Sequence, residues 1–331
     1  MRLAINGFGR IGRTFLRLAL AEGFDVVAIN DLADAKTMAH LFKYDSVHGV
    51  YPKQVCAKPD AIVIGSLSIP VFSMKDAGNL PWSALRVDIV IECTGRNLTT
   101  EAAKAHVQAG AKQVLISAPA ADDIPMLVLG VNDDKIDLSS LVLSNASCTT
   151  NNIAPMIKIL NDNWGVEEGY ITTIHSMTGD QNLHDANHKD LRRARAASSS
   201  IIPTTTGAAK AITHIFPELD GRLGGAGIRV PVLNGSLTDF TCLLKSKTTI
   251  EEINAAFKKS AENEMSGILA YTEDPIVSVD IIDSPYSCTF DSLLTSIVGD
   301  MVKVVGWYDN EFGYSSRLID VVKKIDIVSQ G

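Results

Sequence analysis

The stretch Leu3-Ala4-Ile5-Asn6-Gly7-Phe8-Gly9-Arg10-Ile11-Gly12 decides the fold. An apolar run of strand character meets a G-x-G-x-x-G pattern. Ile11, Phe15, Leu18 and Ala19 then recur on one helical face, so a helix is predicted over residues 11–21, with Gly23 as the glycine after its end. In a strand–turn–helix context each glycine has a separate task. Gly7 permits the tight turn, Gly9 lets the backbone approach a pyrophosphate, and Gly12 lets the helix pack close to the strand. The helix N-terminus then aims free N–H groups at the phosphates. Nineteen residues beyond Gly12, after the second strand, stands Asp31, placed to bond the adenosine ribose and to repel a 2′-phosphate. That pattern favours NAD over NADP.

Outward from this point, strands and helices alternate. Val26 to Ile29, Val87 to Ile91 and Val114 to Ile116 are continuous apolar runs of the kind covered on both faces. Residues 100–109 read as an Ala-rich helix, and 127–131 and 141–143 as two further strands. Beyond them the texture changes. Residues 153–164 read as a helix with Ile153, Met156, Ile157, Leu160 and Trp164 as its stripe, and 170–174 as a strand. Residues 176–200 show neither period and read as a long functional loop. Strands follow at 236–244, 276–281 and 301–307, with single helices at 250–260 and 312–324. The fold class is therefore α/β followed by α+β. A Rossmann dinucleotide-binding domain spans 1–146 and is completed by a C-terminal helix over 312–331. A catalytic domain with a mixed or antiparallel sheet spans 147–311.

Composition narrows the function. The 331 residues carry 30 Lys+Arg against 38 Asp+Glu, a net charge of −8, with 46% hydrophobic and 21% charged residues. This is a globular balance rather than a disordered one. An acidic chain argues against nucleic acid as partner, and the absence of a long apolar run argues against a membrane. The start lacks the pattern of a signal peptide, and five scattered cysteines show no zinc spacing. A cytoplasmic location with free thiols and no metal is expected.

Ser147-Cys148-Thr149-Thr150-Asn151 stands between a strand and a helix, which puts Cys148 at a helix N-terminus. There the helix dipole and free N–H groups are expected to lower the thiol pKa and favour thiolate. Cys56, Cys93, Cys242 and Cys288 lack such a position and read as core or bystander residues. Among seven His, His175 ends a strand at the mouth of the long loop and is the candidate acid/base partner. Arg192-Arg193-Ala194-Arg195 is a basic cluster. Thr204-Thr205-Thr206-Gly207 resembles a hydroxyl-rich helix start, and Arg229 is a single charge in apolar sequence. Together they make anion recognition reasonable. Thr94-Gly95 and Ser117 end strands on the side where an open α/β sheet binds ligands.

Three motifs in order carry a resemblance: Asn6 to Gly12, Ser144-Asn145-Ala146-Ser147-Cys148-Thr149-Thr150-Asn151, and Trp307-Tyr308-Asp309-Asn310-Glu311-Phe312-Gly313-Tyr314. With residues 44–49 and 206–210, they resemble the phosphorylating glyceraldehyde-3-phosphate dehydrogenases along the whole chain. The resemblance implies that the aldehyde of glyceraldehyde 3-phosphate adds to Cys148 as a thiohemiacetal. His175 aids hydride transfer to NAD, and inorganic phosphate releases 1,3-bisphosphoglycerate from the thioester. It implies one anion pocket on Thr178, Arg193 and Arg229 and another on Ser147, Thr149, Thr206 and Gly207. Cofactor contacts are implied on the loop Gly7, Phe8 and Gly9, on Arg10, Ile11, Asp31, Lys75, Thr94 and Ser117, and on Asn310. A homotetramer is implied, with the 176–200 loop reaching a neighbouring subunit.

The chain departs from the family pattern in three places. Asn152 replaces a usual second cysteine, and catalysis needs only Cys148. Ala186-Asn187 resembles the members that tolerate NADP, whereas Asp31-Leu32 opposes it. Gly179 stands where many members place Asn or Ala. Erythrose-4-phosphate dehydrogenases share the mechanism but usually carry Glu at the Asp31 position. A non-catalytic NAD-binding module would not need the Cys148/His175 pair.

Overall fold

The computed structural model describes residues 1–330 and divides the chain into two compact units. The first comprises Met1–Leu127, Lys135–Ala146 and the chain from Ser315 onward. The second comprises Val128–Asp134 and Ser147–Tyr314. The sequence reading kept 128–134 with the first unit. That segment is not the expected strand either. Gly130 turns it at φ +75°, Asn132 accepts from the Val128 N–H and Asp133 from the Gly130 N–H. A Cβ on Gly130 would meet Ile268 at 2.9 Å, which shows how closely this turn packs within the second unit. Gly331, at the end of the expected last helix, lies outside the described residues.

In the first unit the chain runs β1 (Arg2–Asn6), α1 (Arg10–Ala21), β2 (Asp25–Asn30), α2 (Ala35–Lys43), β3 (Tyr44–Asp45), β4 (Gly49–Val50), β5 (Val55–Lys58), β6 (Ala61–Ile64) and β7 (Leu67–Phe72). It continues through α3 (Trp82–Leu85), β8 (Ile89–Glu92), α4 (Thr100–Gln108), β9 (Gln113–Ile116) and β10 (Val142–Ser144). The sheet order is β10-β9-β8-β1-β2-β7-β6-β5. Pairing is parallel from β10 to β7 and antiparallel from β7 to β5. The β5–β7 meander was not read from sequence, because its strands are short and only half covered. At the core, Leu3, Ala4 and Ile5 of β1 and Phe15 and Leu16 of α1 are fully buried. Gly12 is required at that crossing, since a Cβ there would lie 2.2 Å from the Gly7 carbonyl oxygen.

The second unit contains α5 (Cys148–Trp164), β11 (Val166–Ser176), β12 (Ile202–Thr204), α6 (Ala208–Ile215), β13 (Leu223–Val230), β14 (Ser236–Leu244) and α7 (Ile250–Glu262). Then follow β15 (Leu269–Thr272), β16 (Cys288–Asp291), β17 (Ser296–Val298) and β18 (Met301–Tyr308). Its mixed sheet runs β12-β13-β11-β14-β18-β16-β15, with β17 on β18. The expected strand at 276–281 is instead a 3-10 turn over Ser278–Ile281. Asp280 caps it by accepting from the Val277 N–H at 2.7 Å, an Asx-type local bond that competes with extended backbone. β13 escaped the sequence reading because Gly224, Gly225 and Gly227 break its apolar pattern. Tyr170 and Phe240 of neighbouring strands occupy the space that side chains at Gly224 and Gly169 would need. The last helix, α8 (Phe312–Gln330), begins in the second unit and passes into the first at Ser315. In the first unit its Lys323 pairs with Glu22 at 2.9 Å.

Candidate active site

Helix α5 starts five residues earlier than the apolar stripe indicates, because Ser147 caps it. The Ser147 backbone is extended and its hydroxyl accepts from the Thr150 N–H at 3.0 Å. Cys148 is therefore the first helical residue, partly exposed, with Sγ 3.5 Å from His175 Nε2. His175 comes from the penultimate position of β11. There the parallel register pairs it directly with Arg229 of β13. The guanidinium follows from that pairing: Arg229 Nη1 lies 2.6 Å from His175 Nδ1 and donates to the Ser176 carbonyl at 3.0 Å. Nδ1 is also 2.8 Å from the same carbonyl.

Arginine offers only donors. The two contacts at Nδ1 therefore belong to different tautomers. With a proton on Nδ1, the ring donates to Ser176 and presents the Nε2 lone pair to the thiol. With Nδ1 accepting from Arg229, the proton sits on Nε2 and donates to a thiolate. In one ring orientation the first tautomer can accept a proton at Nε2 and the second can donate one from it. Burial first, and then the Arg229 charge, depresses His175 from its ordinary 6.5 to about 3, so the ring is neutral near pH 7. The His175 ring meets that of Tyr308 at a near-perpendicular angle, and the Tyr308 hydroxyl sits 3.0 Å from Thr149 Oγ1 and 2.9 Å from Thr173 Oγ1.

The thiol departs from the expectation of a lowered pKa. Burial pushes Cys148 up, and this outweighs the Arg229 charge and the Thr149 hydroxyl and N–H, which pull it down. The helix end alone does not activate the sulfur.

The first anion group converges. Asp180, missed by the sequence reading, accepts from Thr178 Oγ1 and from Arg193 Nη1, and the Arg229 charge also acts on its carboxylate. Its carboxylate is the internal anion of this cluster. No local signal marks Asp180, because Arg193 and Arg229 lie well downstream of it in sequence. Arg193 Nε also donates to Thr204 Oγ1 at 3.0 Å. The second group is dispersed in its bonding. Ser147 bonds Thr150, Thr149 bonds Tyr308, and Thr206 accepts from Ala208 N–H at 3.2 Å, where Gly207 opens α6 with no side-chain cap. Asn310 Oδ1 accepts from Ser176 Oγ and Ser236 Oγ, each at 2.8 Å, which fixes its carboxamide.

In the first unit the glycine loop fits a dinucleotide. Gly9 precedes α1 with no side-chain cap on the helix, and a Cβ on Gly9 would meet open space. A helix N-terminus entered through such a glycine is the arrangement that binds pyrophosphate. Asp31 accepts from the Phe8 N–H at 2.6 Å and the Ala33 N–H at 2.9 Å, tying the loop to the end of β2. Arg10 departs from expectation, because its guanidinium is engaged bidentately by Asp45 at 2.6 and 3.0 Å. Burial opposes the charge on Asp45, but Arg10 and two backbone N–H groups hold it well below the usual carboxylate range. Thr94 is held by Glu92, Ser117 N–H bonds the Glu92 carbonyl at 2.9 Å, and Lys75 is exposed. Among the described residues no helix is long and apolar enough to cross a membrane.

A dinucleotide loop on a parallel sheet in one unit and a thiol beside an imidazole in the other are the features of a nicotinamide-dependent oxidoreductase. Residues 1–100 match the family model described as glyceraldehyde 3-phosphate dehydrogenase, NAD binding domain, and residues 147–310 match the C-terminal domain of the same family. Glyceraldehyde-3-phosphate dehydrogenase 2 of Streptomyces avermitilis is 53% identical over 325 residues, covering 97% of each chain. The Mycobacterium avium glyceraldehyde-3-phosphate dehydrogenase is 52% identical over 330 residues with the same coverage. The chain belongs to the glyceraldehyde-3-phosphate dehydrogenase family, and its cofactor is NAD.

Proposed function

We propose that the chain oxidises and phosphorylates glyceraldehyde 3-phosphate, with Cys148 as nucleophile and His175 as acid/base. The observation that carries this is the 3.5 Å approach of Cys148 Sγ to His175 Nε2, with Arg229 behind the ring. In this reading His175 takes the thiol proton as sulfur adds to the aldehyde carbon, and donates it to the carbonyl oxygen. It then removes the hydroxyl proton of the thiohemiacetal as hydride leaves that carbon. Bound NAD supplies the two-electron acceptor. Inorganic phosphate attacks the thioester carbonyl and Cys148 leaves as thiolate, so the acyl phosphate retains energy that hydrolysis would dissipate.

Thr178, Arg193 and Arg229 are assigned to one phosphate. Ser147, Thr149, Thr206 and Gly207 are assigned to the other. The cofactor is assigned to Gly7, Phe8, Gly9, Arg10, Ile11, Asp31, Lys75, Thr94 and Ser117, with Asn310 on the nicotinamide carboxamide. A homotetramer in the cytoplasm, with the 176–200 loop at a subunit contact, completes the reading.

The test is reduced-nicotinamide absorbance with NAD or NADP, with and without phosphate, for the wild type and Cys148→Ser. Phosphate-dependent turnover with NAD that disappears in C148S while NAD still binds is the expected result. Turnover independent of phosphate, or retained in C148S, overturns the proposal.

A further inference from the structure

Beneath the glycine loop lies a chain of buried polar side chains that the reaction does not use. Asn6, Asn30 and Glu92 are the last residues of β1, β2 and β8, and each is at least 95% buried, at 3%, 5% and 1% exposure. His106 of α4 and Trp82 of α3 are fully buried beside them. The hydrogen bonds converge on Glu92 from both sides. Trp82 Nε1, a donor only, gives to His106 Nδ1 at 2.9 Å, so the other ring nitrogen carries the proton and donates to Glu92 Oε2 at 3.1 Å. Asn6 Nδ2 donates to Glu92 Oε2 at 2.6 Å, and Asn30 Nδ2 donates to Asn6 Oδ1 at 2.7 Å. Thr94 N–H at 2.7 Å, the Thr94 hydroxyl and Asn97 Nδ2 at 2.9 Å fill the remaining positions on the carboxylate. Burial works to raise the Glu92 carboxyl, but the donors from His106, Thr94, Asn97 and Asn6 outweigh it and hold it below its ordinary range.

Each strand-end member of this chain is followed by a turn that the glycine-loop reading assigns to the cofactor: Asn6 by Gly7, Asn30 by Asp31, and Glu92 by Cys93-Thr94. The same residues bind the adjoining turns through the backbone. Gly7 N–H donates to the Asn30 carbonyl at 2.8 Å, Cys93 N–H to Asn6 at 2.7 Å and Ser117 N–H to Glu92 at 2.9 Å. The fit is tight, because a Cβ on Gly7 would lie 2.7 Å from the Thr94 nitrogen. A buried carboxylate that collects this many donors is costly unless all of them stay in place, so the arrangement fixes the turns together.

We propose that Glu92, through His106 and Trp82 on one side and Asn6 and Asn30 on the other, is a positioning residue that sets NAD affinity by locking the three turns around the glycine loop. It touches no substrate and acts through Thr94, Gly7 and Asp31. The proposal rests on the glycine-loop reading of the cofactor site.

Glu92→Gln is the sharpest perturbation. Its amide NH2 must face either the Thr94 donors or those of Asn6, Asn97 and His106, so one turn is released whichever way it points. Calorimetric titration of the full chain with NAD is expected to show a Kd raised about tenfold in E92Q, the scale of one lost charge-assisted hydrogen bond. Trp82→Phe removes only the outermost donor and is expected to raise Kd about two- to threefold. It carries the test should E92Q not accumulate. Ile62→Ala, fully buried in β6 and outside the Trp82 cluster, serves as the destabilised control. It is expected to lower Tm without changing Kd. Iodoacetamide alkylation of Cys148 without cofactor should be unchanged in all three variants. A Kd that rises equally in E92Q and I62A, or that does not rise in E92Q and W82F while Asp31→Ala still weakens NAD, overturns the positioning role. If D31A also leaves Kd unchanged, the glycine-loop reading itself falls.

Discussion

Replacing His175 by Asn tests the proposed chemistry at its centre. Asn reaches roughly as far as Nδ1, so a polar group can still meet Arg229 and the Ser176 carbonyl. Nothing then occupies the Nε2 position, 3.5 Å from Cys148 Sγ. What is lost is proton transfer. General acid–base catalysis by one positioned group contributes about 10²- to 10⁴-fold, or about 3–5 kcal/mol of barrier. kcat is expected to fall by that factor, with KM for NAD nearly unchanged because the cofactor loop lies in the other unit. Alkylation of Cys148 at neutral pH should also slow. Burial already raises the thiol pKa, and H175N removes the partner that accepts its proton. A variant with wild-type kcat and wild-type alkylation rate would refute the pairing.

The same variant has a second signature. His175 is depressed from 6.5 to about 3 by burial and the Arg229 charge, so the folded protein resists protonation there. The unfolded chain takes up that proton below about pH 6.5, and the folded chain only near pH 3. The wild type therefore has the full contribution of the neutral ring above pH 6.5 and loses it progressively as pH falls towards 3. The loss is on the order of a few kcal/mol across that window. H175N should show a shallower decline of denaturant-derived stability between pH 6.5 and the onset of acid unfolding. Parallel declines in the two proteins would mean that His175 is not held neutral in the fold.

Gly12→Ala places a Cβ 2.2 Å from the Gly7 carbonyl oxygen, so the helix must move off the strand. An overpacking cost of about 1–3 kcal/mol in thermal or urea unfolding is expected, with weaker NAD binding; an unshifted melt would contradict the packing. Arg193→Leu leaves the Asp180 carboxylate without its direct guanidinium partner and one anion pocket without a cation. KM for glyceraldehyde 3-phosphate or for phosphate should rise at least about tenfold, as expected for a lost hydrogen bond to a charged group. Equal kcat/KM for both would remove Arg193 from the site.

Much of the first unit was legible because its signals are local. The loop from Gly7 to Gly12 is a contiguous sterically required pattern, and the β1, β2, β8 and β9 cores are continuous apolar runs. The failures also have local causes. At 127–131 an apolar run is bent by Gly130 and by Asn132 and Asp133 bonding back to the backbone, and at 276–281 the Asp280 cap wins over extended structure. In both places side-chain-to-backbone hydrogen bonds, which hydrophobic periodicity does not register, decided the conformation. β13 was hidden for the opposite reason. Its glycines are vacated by design for Tyr170 and other neighbours, and only the assembled sheet shows what fills the space.

The site divides in the same way. Ser147 as cap and Cys148 as first helical residue follow from five adjacent residues, and that is why the thiol could be picked out. Its environment does not follow from them. Local reasoning assigns Cys148 a low pKa from the helix end, yet burial sends it the other way. Of the groups that oppose burial, Thr149 is local, but the charge of Arg229 arrives through the register of two distant strands. His175 and Arg229 stand 54 positions apart and meet because β11 and β13 pair in parallel at those residues. A one-residue slip of that pairing would turn Arg229 to the opposite face of the sheet and leave the cysteine motif intact but without its cation. Reactivity at Cys148 is therefore a property of the β11–β13 register as much as of the cysteine motif.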